Sequence, residues 1–159
     1  MFWAAFGHNC RTDLVSMNGD PESARGGVTA AVYLGVLKEH LETILEPNDI
    51  FMQDNASIHK AHIILEWFQE MGITLMDWPP YSPNLNPIEN LWALLKAAIW
   101  EKYPDLEFCI KTDANLRRLI QAAQDVWSEL KDELLCKLSD TMPKRVQAVL
   151  DAEGWYTKY

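Results

Sequence analysis

At 159 residues the chain fits one domain, and a domain of that size buries roughly two-thirds of the surface its unfolded form exposes. Hydrophobic residues make up 48% and charged residues 23%, a balance too apolar for a disordered chain. The net charge of −9 is uneven: residues 1–110 carry 6 basic and 15 acidic side chains, whereas residues 111–159 carry 8 of each. A domain this acidic has no basic face large enough to hold DNA by phosphate neutralisation alone. Acidic residues gathered in a site can hold divalent cations instead. No apolar run approaches the ~18 to 20 residues of a membrane helix, and no charged-then-apolar signal stretch opens the chain, so neither a membrane nor a secreted protein is expected. The three cysteines, Cys10, Cys109 and Cys136, are odd in number and far apart. They suit ordinary thiols in a reducing compartment, without a disulfide framework or a zinc spacing.

In chain order, the apolar run Met1–Gly7 (MFWAAFG) predicts a strand, and Arg11–Met17 a second that ends at the turn pair Asn18-Gly19. A polar, glycine-rich loop fills 20–27. Over 28–45, Leu34, Leu37, Leu41 and Ile44 recur at helical spacing, and Pro47 stops the helix. Asp49–Gln53 is short and apolar enough for a buried strand. His59–Met71 predicts a helix with Ile64, Trp67, Phe68 and Met71 inward, closed by Gly72. Ile73–Trp78 is a further strand, followed by WPPYSPNLNP, which holds four prolines between positions 79 and 87.

The next helix has a marked start, with Asn86 as N-cap, Pro87 in the first turn and Glu89 third. Its inward stripe is Ile88, Leu91, Trp92, Leu95 and Ile99. Thr112 caps another helix, with Leu116, Leu119, Ile120, Ala123, Trp127 and Leu130 inward. A last helix around 143–153 ends at Gly154. Strands thus alternate with helices and then give way to helices only, which predicts a single α/β domain over 1–159. It divides into an α/β core at 1–104 and a C-terminal helical tail at 105–159.

Two carboxylates stand out by context. Asp54 ends a buried strand, at the edge where α/β folds place their sites. Glu89 sits in the first turn of a helix whose entry is stiffened by proline. The 34 residues between them give room for one helix, one strand and the loop, a crossover that can return Glu89 to Asp54. Paired carboxylates of this kind, with a third, suit magnesium ions in phosphodiester chemistry, since hard cations take oxygen ligands. On spacing alone the structural readings are the commoner ones: Asp54-Asn55 as a turn, Glu89 as the partner in a capping box. His59 and His62, three apart on a helix, are more often surface features than metal ligands. Pro80-x-x-Pro83 matches a minimal SH3-ligand pattern, for which a rigid loop is the commoner explanation. The tryptophan-rich helices read as core rather than as a base-stacking surface.

The strings FMQDNASIHKA (51–61) and DWPPYSPNLNPIENLWALLK (77–96) resemble the catalytic core of the Tc/mariner superfamily of DDE transposases. Weaker similarity runs from MFWAAFG to PKRVQAVLDAEGWYTKY. The resemblance implies a ribonuclease-H-like fold, metal-dependent DNA cleavage and strand transfer, and two Mg2+ (or Mn2+) ions held by three carboxylates. Asp54 matches the second catalytic and metal-binding Asp of that family, and Glu89 its catalytic Glu. The first catalytic Asp of the family lies on a strand upstream of a segment like MFWAAFG, and neither Asp13 nor Asp20 stands at the motif position.

The expectation is therefore a ribonuclease-H-like fold lacking its first strand, with impaired catalysis, weak metal binding and weak or no DNA binding. The alternative is a non-catalytic remnant acting through protein–protein contact. By the resemblance the location is the nucleus in a eukaryote, otherwise the cytoplasm. In this fold the first strand lies between the second and fourth. Without it those two can pair directly, a second copy can supply a strand, or the N-terminal segment can take the place. Exposed apolar edges favour self-association, so a homo-oligomer is expected.

Overall fold

The computed structural model describes residues 1–24, 26–79, 82–155 and 157. Arg25 of the glycine-rich loop, Pro80 and Tyr81 of the proline-rich segment and Tyr156, Lys158 and Tyr159 at the end lie outside the described residues. The Pro80-x-x-Pro83 pattern is among the readings that fall there.

Four short strands form two separate pairs. β1 (Phe2–Trp3) runs antiparallel to β2 (Val15–Ser16), and β3 (Ile50–Phe51) runs parallel to β4 (Thr74–Leu75). The hairpin joining β1 and β2 turns at Gly7–Cys10, where the Gly7 amide donates to the Cys10 carbonyl at 2.9 Å. The apolar run alternates across this hairpin as a strand must. Trp3 and Ala5 enter one core with Tyr33, Leu37, Leu41, Ile64, Trp67 and Phe68. Phe2, Ala4 and Phe6 face the other, built on Leu91, Leu95, Ile99, Ala123 and Trp127. Helices thus cover both faces: α1 (Ala30–His40) and α2 (His62–Glu70) on one side, α3 (Ile88–Lys102), α4 (Asp113–Glu129) and α5 (Asp132–Ser139) on the other. α6 (Met142–Asp151) closes the described chain.

No described hydrogen bond joins β1 to β3, so the two pairs do not close into one sheet. Nor does the N-terminus fill a gap between them. Its ammonium donates to the Met17 carbonyl at 3.2 Å, and the Met17 amide donates to the Met1 carbonyl at 2.8 Å, which extends the β1–β2 ladder. Two of the three expected repairs are therefore not seen among the described residues.

Local signals set several boundaries. The Gly72 amide bonds the Gln69 carbonyl and that of Ile73 the Phe68 carbonyl, so Gly72, at φ +67°, completes a Schellman stop for α2. Thr112 caps α4, accepting from the Asn115 amide. The predicted strands are each shorter than the apolar runs that announced them, and three other expectations need correction. Met71, expected inward at the end of α2, is 47% exposed, since the buried face of that helix is Ile64, Trp67 and Phe68. Leu116 is 55% exposed, because the buried face of α4 runs through Ala122, Ala123, Val126 and Trp127. α6 ends with Glu153 in the left-handed region (φ +51°), one residue before Gly154. The helices of the tail pack into the same core as α3: the Trp127 indole donates to the buried Thr12 carbonyl at 2.9 Å, and Leu135 is fully enclosed.

Candidate active site

Asp54 lies just past β3, at the C-terminal edge of the parallel pair. The Asn55 side chain spans to the Trp78 carbonyl beyond β4 at 2.7 Å, which ties the two strand exits together. A cleft of about 370 Å³ opens there. Asp54, Asn55 and Trp78 form one wall, Ser82, Pro83 and Asn86 belong to the connecting segment, and Glu89 comes from the first turn of α3. The crossover thus brings the two predicted carboxylates to one cleft.

The surroundings of each carboxylate weigh the structural readings. Asp54 does make a turn: its Oδ1 accepts the Ala56 amide at 3.0 Å. The same Oδ1 lies 2.7 Å from His59 Nδ1, whereas Oδ2 takes no hydrogen bond from the described residues. The Asp54 side chain is 59% exposed, so one oxygen is held by the protein and the other faces solvent. Glu89 does not act as a capping-box partner. The Asn86 amide donates to Pro83, and among the described residues the Glu89 carboxylate has no hydrogen bond or ion pair. Asn86 serves the helix start from one position earlier than expected, its Oδ1 accepting the Ile88 amide at 3.3 Å while Pro87 occupies the formal cap.

The imidazole of His59 is itself positioned. It packs against the buried Tyr33 ring, with centroids 4.5 Å apart and the planes tilted by 35°. Gln53 accepts the Tyr33 hydroxyl at 2.7 Å and donates to the His59 carbonyl at 3.3 Å, joining α1 to the loop after β3. Burial, with a smaller contribution from the Asp54 charge, pushes the Tyr33 phenol well above its ordinary pKa. His62 takes a different course. Its side chain is 83% exposed and pairs with Glu66 at 2.8 Å one turn along α2, so the two histidines do not form a common site.

Asp13 is drawn instead into a separate groove with Arg11 and Gln124, and Asp20 caps a turn by accepting from the Glu22 amide and the Thr29 hydroxyl. Among the described residues no group of three or more His, Cys, Asp or Glu side chains is placed to hold a metal ion. The donor set in the cleft nonetheless fits a hard cation in kind, two carboxylates with an open oxygen and no competing ammonium or guanidinium bonded to them. The sequence did not single out Tyr33, whose ring contact has no local signature. Asn55 and Gln53 lay within the quoted QDN string, but their partners are remote in sequence.

Residues 21–107, more than half of the chain, match the model of the DDE superfamily endonuclease family. The chain belongs to this family, in its Tc/mariner branch. It is 37% identical over 110 residues to the Transposable element Tc1 transposase of Caenorhabditis elegans, a match covering 69% of this chain and 37% of that protein. It is 35% identical over 104 residues to the Tc3 transposase of the same organism, covering 65% and 30%. The chain thus spans only about a third of the length of the curated relatives it matches. Among solved structures, the Mos1 transposase catalytic domain with raltegravir and Mg is similar at a TM-score of 0.66 and 20% identity, over 93% of this chain and 78% of that one. The Mos1 catalytic domain alone is similar at 0.62 and 17%, over 99% and 82%. The fold of this family member is therefore the ribonuclease-H-like DDE fold, and the likeness reaches through the helical tail.

Proposed function

We propose that the cleft is the catalytic edge of a metal-dependent DNA endonuclease and strand-transfer domain, with Asp54 and Glu89 as carboxylate ligands for Mg2+ (or Mn2+). The observation that carries this reading is that two carboxylates, 34 residues apart in sequence, line one cleft while a solvent-facing Asp54 oxygen and the whole Glu89 carboxylate stay free of described protein partners. A bound divalent ion supplies Lewis acidity to phosphodiester oxygens and to attacking water or hydroxyl. The chain's own part is to hold Asp54 by Oδ1 through the Ala56 amide and His59, and to present Glu89 from a helix start. The names of the relatives, transposases of transposable elements, and the solved Mos1 strand transfer complex support DNA as the substrate of the whole protein, and hence the nucleus as its place of work in a eukaryote.

Two carboxylates hold a hard cation less firmly than three, and a body of charge −9 repels DNA phosphates. The purified 159-residue chain therefore binds the metal weakly and leaves DNA intact. Titration with Mn2+, followed by the loss of free-ion electron paramagnetic resonance signal, tests the reading. Wild type takes up Mn2+, and Asp54→Asn or Glu89→Gln each abolish uptake; uptake that survives both substitutions places the ion elsewhere. The net charge also favours a second reading, a non-catalytic module acting through protein contact. No specific Mn2+ uptake at all would favour that module over the enzyme.

No helix of the described residues is long and apolar enough to cross a membrane.

A further inference from the structure

α6 is inverted. It buries a guanidinium, Arg145 at 2% exposure, while leaving Val146 and Leu150 at 45% and 65%. A charged side chain is almost never enclosed to this degree unless it is well partnered. Arg145 Nε donates to Thr141 Oγ1 at 2.7 Å, one turn back, and that hydroxyl donates in turn to the Leu138 carbonyl at 2.6 Å. Arg145 Nη2 reaches away from its own helix and donates to Asn90 Oδ1 at 2.6 Å. Asn90 directly follows Glu89. α6 also packs on the 3-10 turn Pro83–Leu85, whose Pro83 lines the cleft. The tail thus touches both sides of the α3 start.

That start is weakly held by local means. Pro87 supplies no side-chain cap, and the Asn86 bond is long at 3.3 Å. Glu89 has no described side-chain partner of its own, so the backbone of this turn sets where its carboxylate stands.

We propose that Arg145 is a positioning residue for the cleft: by bonding Asn90 it fixes the first turn of α3, and with it the Glu89 carboxylate. The proposal rests on the reading of Asp54 and Glu89 as metal ligands, but the ordering of the turn can be measured without metal. Its tests use the 159-residue chain carrying Arg145→Met or Asn90→Ala. Asn90→Asp keeps the acceptor, and Val149→Ala thins α6 one turn beyond Arg145 without touching the Arg145–Asn90 bond.

Hydrogen exchange followed by mass spectrometry should show amides 86–95 exchanging about 10-fold faster in Arg145→Met and Asn90→Ala, as loss of a charge-assisted hydrogen bond implies. Peptides from α1 should be unchanged. Asn90→Asp should retain wild-type exchange, and Val149→Ala should speed exchange only over 142–151. Mn2+ affinity should fall roughly 10-fold in Arg145→Met and Asn90→Ala, the scale on which supporting groups act on a metal site. Faster exchange confined to 142–151 in Arg145→Met, or a looser 86–95 with unchanged Mn2+ affinity, would overturn the proposal. Should Arg145→Met fail to fold, Asn90→Ala decides, since it leaves the apolar packing intact. If wild type takes up no Mn2+, the metal-ligand reading fails, and the exchange result still decides whether Arg145 orders the turn.

Discussion

His59 Nδ1 stands 2.7 Å from Asp54 Oδ1 while the same imidazole packs, tilted, against Tyr33, so the ring is held on one side and spends its Nδ1 proton on the carboxylate. Only a proton on Nδ1 makes this a hydrogen bond, because both carboxylate oxygens are acceptors. The pair leaves Asp54 Oδ2 facing solvent.

His59→Ala should let the Asp54 carboxylate rotate about the Ala56 amide, the one contact that remains among the described residues. Groups that orient a metal ligand typically change affinity by about 10- to 100-fold. We expect Mn2+ binding about 10-fold weaker in His59→Ala, with the melting temperature lowered by no more than a few degrees. Unchanged Mn2+ affinity would show that Asp54 is held well enough without the imidazole.

Tyr33 gives a pH prediction. Burial raises its folded pKa above the unfolded value of about 10, so its contribution to stability is complete below about pH 10 and declines as pH rises beyond it. Urea denaturation midpoints should fall as pH is raised above about 10, and Tyr33→Phe should flatten that fall. At neutral pH Tyr33→Phe should still cost about 1 kcal/mol, from the hydroxyl bond to Gln53. An equally steep alkaline loss in Tyr33→Phe would assign the effect to other groups.

The core on the α3 side predicts a larger effect. Leu91 is fully enclosed between the β1–β2 hairpin and α4, and Leu91→Ala should cost about 2–5 kcal/mol by chemical denaturation. Thr112→Ala removes only the α4 cap and should cost about 1 kcal/mol. The reverse order of these two would mean that the hairpin does not pack on α3 in solution.

The features legible in the sequence were those with a local cause. Gly72 stops α2 because a left-handed position is needed there, and Thr112 caps α4 because its hydroxyl meets the amide three residues on. α5 was missed. Leu130 and Lys131 are both extended (ψ 134° and 141°) yet break the helix without a glycine or proline, and the eight residues that follow bury only Leu135. At the cleft, the sequence singles out Asp54 and Glu89, whereas His59 lies within the quoted string but reads there as a surface feature. The Tyr33–His59 ring contact and the Arg145–Asn90 bond join residues 26 and 55 positions apart, and no periodicity announces such contacts.

The last prediction concerns the unjoined strands. Among the described residues β1 pairs only with β2 and β3 only with β4, so each strand has one edge without a strand neighbour. Ile50 on β3 is 57% exposed and Met1 beside β1 is 72% exposed, which makes these edges apolar as well as unpaired. Open apolar edges template pairing with another chain, and natural proteins suppress this with charges at such positions. Neither direct pairing of β1 with β3 nor insertion of the N-terminal segment relieves the edges here. We therefore expect the 159-residue chain to self-associate at micromolar concentration, with sedimentation velocity showing a dimer or larger species. Ile50→Lys should shift that distribution toward monomer, because a charge on the edge disfavours pairing in register with a second copy. A cooperatively melting monomer for wild type across the whole concentration range would reject strand exchange and imply that β1 and β3 close on each other in solution.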